Sequence, residues 1–75
     1  MYHIEYGEAI YRGSHIIKDV KSFKSFVNVV EQVVKDKTVM LVERDGWVLY
    51  YWEDGWIEET LNDREKRILG DEIWK

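Results

Sequence analysis

Two Asp-Gly dipeptides, Asp45-Gly46 and Asp54-Gly55, divide residues 38–60 into three runs rich in β-branched and aromatic residues. Asp-Gly between such runs is the strongest short-range hairpin signal, because a type I′ turn needs positive φ at both central positions. The stretch therefore predicts a three-stranded antiparallel meander. A two-residue turn at Asp45-Gly46 sets the expected register: Arg44 faces Trp47, Glu43 faces Val48, Val42 faces Leu49, Leu41 faces Tyr50, Met40 faces Tyr51 and Val39 faces Trp52. One face then carries Val39, Leu41, Val48, Tyr50 and Trp52, joined by Ile57. The other carries Met40, Val42, Trp47, Leu49 and Tyr51, joined by Trp56. An antiparallel sheet with one wet side alternates apolar and polar residues, and this pattern does not.

The remaining chain supplies less than two such faces require. Tyr2, Ile4 and Tyr6 alternate with His3 and Glu5, the period of a half-buried strand. Gly7 is read as a bulge in one long strand, with Gly13-Ser14 as a II′ turn pairing Arg12 with His15 and leading into a short return strand. From Phe23 the period changes. Phe23, Phe26, Val27, Val30, Val33 and Val34 share one face of a helix ending near Asp36, with Ser22 as its N-cap and Asp19 as the competing cap. Asn62 and Glu65 have capping-box spacing, which opens a second helix running to about Leu69 with Gly70 just beyond. Ile73 and Trp74 are placed to close one end of the core.

These elements give an α+β fold in the order β-β-α-β-β-β-α, an N-terminal hairpin plus a C-terminal meander with one main helix on one face. At 75 residues the chain is expected to form a single domain, residues 1–75. One helix cannot cover two apolar faces, so the surplus aromatic face is expected either to complete the core of a small domain or to be an interaction surface. A second copy covering it would make the chain a homodimer subunit.

Charge narrows the functional classes. Residues 1–42 hold five acids and six bases; residues 43–75 hold ten acids and five bases, which gives the net −4. Nucleic-acid binders that work by counterion release usually show a basic balance, so DNA or RNA binding is the weaker alternative. It would use Arg12, Lys18, Lys21 and Lys24, or aromatic stacking. Glu53, Asp54, Glu58 and Glu59 surround the second turn beside Trp52 and Trp56. Paired carboxylates with aromatic platforms suit glycoside chemistry only in a pocket that raises one pKa, and a hairpin tip offers little pocket. They read as a solvated acidic rim.

His3 and His15 are the only histidines, and the predicted hairpin sets them at opposite ends of its strand, where they read as surface residues. No nucleophile, base and orienting group stand together, and no glycine-rich phosphate loop is present, so neither enzyme activity nor a cofactor or metal is expected. No apolar run approaches the ~20 residues of a membrane span. With no cysteine and no secretory leader pattern, the expected location is cytoplasmic. The residues expected to bind a protein partner are Trp47, Tyr51, Trp52, Glu53, Asp54, Trp56 and Glu58. The size and character would suit an accessory protein of a virus or mobile element.

Overall fold

A computed structural model describes residues 1–8 and 15–73. The elements follow the predicted order: β1 (Tyr2–Gly7), β2 (Ile16–Val20), α1 (Phe23–Val33), β3 (Thr38–Arg44), β4 (Trp47–Tyr51), β5 (Gly55–Trp56) and α2 (Asp63–Ile68). The N-terminal hairpin and the meander are one antiparallel sheet, ordered β2-β1-β3-β4-β5, because β1 also pairs with β3. The Gly13-Ser14 turn, the pairing of Arg12 and the closing role of Trp74 lie outside the described residues. No helix among the described residues is long and apolar enough to cross a membrane.

Local chemistry places both helices as expected. Ser22 Oγ accepts the Ser25 N–H at 3.1 Å and caps α1, a bond of the kind worth about 1 kcal/mol. Asp19, the competing cap, bonds His3 instead. The helix ends at Val33, three residues short of the expected Asp36. At α2 the Asn62 side chain accepts the Glu65 N–H at 2.8 Å while Glu65 Oε1 accepts the Asn62 N–H at 3.0 Å. Gly70 is not a terminator: α2 runs on into a π-helical turn, Leu69–Ile73.

The first Asp-Gly turn has the type I′ signature, with φ of 51° at Asp45 and 87° at Gly46. The second differs from expectation. Tyr51 pairs with Gly55, so the loop holds three residues, and only Gly55 has positive φ, 80°. The Asp54 N–H donates to the Tyr51 carbonyl at 3.0 Å, as in a three-residue hairpin loop closed by a left-handed glycine. The third strand is accordingly cut to two residues, and Ile57 leads into a 3-10 turn, Glu58–Thr60.

The predicted faces of the meander are corrected by two bulges. Glu43 pairs with Val48, but Val42 pairs with Tyr50, so Leu49 is an extra residue on β4. Likewise Glu5 pairs with Leu41 but Tyr6 with Val39, so Met40 is extra on β3; the irregularity on β1 falls at Glu5/Tyr6 and not at Gly7. A bulge lets neighbouring residues turn to the same side. Leu49 and Tyr50 are therefore both buried, and so are Val39 and Val42, three positions apart. Residues expected on opposite faces are thereby gathered onto one.

That one face carries the core. Tyr2 and Ile4 of β1, Val39 and Val42 of β3, and Leu49 and Tyr50 of β4 meet Phe26, Val30 and Val33 of α1, with Leu61 and Leu69 at the C-terminal end. The Tyr2 and Phe26 rings stack at 4.3 Å and 11°. The second helix, α2, does not shield the opposite face. Its Glu65 accepts from the Tyr2 hydroxyl at 2.7 Å and pairs with Arg44, which sets α2 beside α1. Arg64 lies 3.9 Å over the Phe23 ring between the two helices.

Candidate functional site

Register and alternation define the face left without a helix. Residues directly opposite one another in antiparallel strands point to the same side. One row across β2, β1, β3 and β4 is Ile17, Glu5, Leu41 and Tyr51, and the next is Asp19, His3, Glu43 and Val48. Among the described residues no element covers these rows. The first row is apolar except for Glu5, with Ile17 59% and Tyr51 38% exposed; the second is mostly ionisable. Trp52, 43% exposed, follows Tyr51 at the tip of the second turn.

The predicted partner-binding residues do not form one surface. Tyr51, Trp52, Glu53 and Asp54 follow one another around the exposed tip. Trp47 faces Arg44, so it leans to the helix side at the far end of the hairpin, where it is 64% exposed beside Glu59 and Thr60. Trp56 faces Tyr50, also on the helix side, and its Cη2 lies 3.8 Å from where a Cβ on Gly70 would stand. Glu58 is exposed in the 3-10 turn. Two bulges and a shortened third strand separate what an unbroken register would have aligned. Of the basic residues considered for nucleic acid, Lys18, Lys21 and Lys24 are exposed and Arg12 is outside the described residues.

What the fold does bring together is a set of residues the sequence reading kept apart. His3 Nδ1 is 2.8 Å from Asp19 Oδ1, and its Nε2 is 2.6 Å from Glu5 Oε2. His15 Nε2 is 2.6 Å from Glu5 Oε1. The two histidines therefore share one carboxylate and are not at opposite ends of a hairpin. The reason is the pairing of Tyr6 with Ile16, which sets β2 closer to the start of β1 than a Gly13-Ser14 turn would. Hydrogen bonds donated to Glu5 first and Asp19 second hold the His3 pKa above its ordinary 6.5, against the effect of burial. His3 in turn, ahead of His15, holds Glu5 below 4.5. The signal was present in the alternation: Tyr2 and Ile4 point inward, so His3 and Glu5 must share the outer face.

Both ring nitrogens of His3 are engaged, so it has no lone pair to offer as a base. Among the described residues no group of three or more His, Cys, Asp or Glu is arranged to hold a metal ion. The other ionisable cluster is internal. Glu65, with no exposed surface, receives Arg44, the Tyr2 hydroxyl and the Asn62 N–H, and Arg44 Nη2 also donates to the Thr60 carbonyl at 2.9 Å. Burial first, and the neighbouring Glu65 second, push the Tyr2 phenol far above its ordinary range. This network joins α2 to the sheet, and its groups are spent on one another.

The fold and the face define a small antiparallel α+β domain with both helices on one side. Comparison with protein-family models, curated proteins and solved structures finds no match to this chain.

Proposed function

We propose that the chain is a small, non-catalytic, cytoplasmic interaction module that binds a protein partner, or a second copy of itself, through the open face of its sheet. The observation that carries the reading is the two-row surface across β2, β1, β3 and β4, which has no helix on that side among the described residues. Ile17, Leu41, Val48 and Tyr51 supply its apolar part, and Trp52 is exposed at the neighbouring turn. Tyr and Trp are the side chains that most often anchor such contacts, because they bury large area at small entropic cost. The carboxylates around them form a polar rim that includes Glu53 and Asp54.

A surface variant tests the reading. Ile17→Ser with Tyr51→Ser, and separately Trp52→Ala, should leave far-UV circular dichroism and the melting temperature near those of the parent. Each should weaken association by about tenfold or more, the loss of one good anchor. Self-association is read by light scattering over a concentration series, and partner binding by co-purification from the native host followed by titration of the purified pair. A parent chain that stays monomeric and recovers no partner overturns the reading. So do variants that unfold, since the side chains would then be core. Retention on single-stranded nucleic acid that weakens steeply with salt would replace it with a nucleic-acid function.

A further inference from the structure

The open face fixes a proton count at His3. An ionised carboxylate can only accept hydrogen bonds, and His3 meets one at each ring nitrogen, Asp19 at 2.8 Å and Glu5 at 2.6 Å. Both nitrogens must therefore carry hydrogen, and the ring is an imidazolium. The titratable groups that face it are Asp19 and His15 from the β2 side, Glu5 on β1, Glu43 on β3 and the Tyr51 phenol on β4. Glu43 Oε1 is 4.0 Å from His3 Nε2, so it adds attraction without a hydrogen bond. No Lys or Arg of the described residues falls in these rows.

The strand that these bonds reach is the one least held by the core. β2 is a sheet edge paired only with β1, and every side chain from Ile16 to Asp19 is exposed. Val20 alone packs against the core from this strand. The His3–Asp19 and His15–Glu5 contacts are thus side-chain ties between β1 and the β2 segment, added to its backbone ladder. We propose that His3 is a proton-operated clamp that fastens edge strand β2 to the sheet, closed while the ring is an imidazolium and released when it loses a proton. A neutral imidazole has one N–H and serves one carboxylate, and in either tautomer the charge that drew Asp19 inward is gone.

The direction with pH follows from linkage. His3 is raised above 6.5, so its contribution is complete below that value and is lost as pH rises through the higher folded pKa. Glu5 is lowered below 4.5, so its contribution is complete above that value and is lost as pH falls through the lower folded pKa. The clamp is fully closed between those two ordinary values. As pH rises through the higher folded pKa of His3, β2 loosens and the open face becomes more negative by one charge. The clamp does not depend on what docks there.

Nuclear magnetic resonance of the full chain from about pH 4 to pH 9 tests this, a range spanning both ordinary values. The readouts are the His3 imidazole shifts and hydrogen exchange of the β2 amides paired to β1, corrected for intrinsic rates. His3 should titrate above 6.5, the ordinary value it departs from. Protection of β2 should fall several-fold across that titration while β3 and β4 stay unchanged. His3→Gln, which cannot become charged, should abolish the step. Asp19→Asn, which leaves His3 in place, should lower its pKa. A His3 that titrates at or below the ordinary value, β2 protection that does not change with it, or a His3 pKa unmoved in Asp19→Asn would each overturn the proposal.

Discussion

Glu65 carries more of the fold than its place in a six-residue helix suggests. Three donors converge on a carboxylate with no exposed surface, and no buried side-chain N or O of the described residues is left without a partner. Removing one member of such a set costs more than the set contributes, because the others stay desolvated. Glu65→Ala is expected to destabilise the domain by about 3 kcal/mol, the low end of the range for a broken buried pair, since Arg44 keeps some access to water. Glu65→Gln retains an acceptor for the Tyr2 hydroxyl and the Asn62 N–H, so its cost should be nearer 1–2 kcal/mol, roughly one charge-assisted bond. Urea denaturation of the two variants and the parent measures both; equal costs would show that charge is irrelevant there. Glu65 was legible in the sequence only as an N-terminal helix residue, because its capping role is local and its burial depends on Tyr2 and Arg44, far away in the chain.

Among the elements, the turns separate local from tertiary control most clearly. Asp45-Gly46 formed the turn its residues dictate, whereas Asp54-Gly55 took a longer loop in which Tyr51 pairs with Gly55 and only Gly55 has positive φ. Asp45 tolerates its positive φ of 51°, as Asp can, whereas glycine is favoured at the wider 87° of Gly46. A Cβ on Gly46 would touch nothing within 4 Å, yet φ is 87°, so Gly46→Ala should cost about 1–2 kcal/mol from backbone strain alone. Gly70 has no positive φ, and a Cβ there would meet Trp56 Cη2 at an ordinary 3.8 Å. Gly70→Ala is therefore expected to be neutral or stabilising by up to about 1 kcal/mol, through a less disordered unfolded chain. The melting temperature should fall for Gly46→Ala and hold or rise for Gly70→Ala, and a Gly70→Ala loss as large as that of Gly46→Ala would contradict the assignment.

For the molecule as a whole, the core is a single cluster drawn from β1, β3, β4, α1 and the C-terminal turns. Among the described residues no set of elements keeps a separate core, so unfolding should be one cooperative transition. Far-UV circular dichroism and tryptophan fluorescence are expected to give coincident urea midpoints; a fluorescence change at lower urea would mark independent loss of the β4–β5 hairpin, which holds Trp47 and Trp56. Gathering the apolar residues of both predicted faces onto one side also changes the origin of the open face. It is less hydrophobic than an unbroken register implied, and half of it is an ion-pair lattice built around His3.

The sequence by itself determined the element order, the caps at Ser22 and Asn62, and the first turn, because each rests on residues within a few positions of one another. Tertiary structure decided the two bulges, the union of hairpin and meander through β1 and β3, and the placement of both helices on the same face. Those choices depend on which alignment buries most apolar surface while pairing every buried polar group, and alternation along a strand cannot encode an inserted residue. The Thr38–Thr60 stretch fixed that a sheet would form; the bulges at Met40 and Leu49 fixed which of its residues meet solvent.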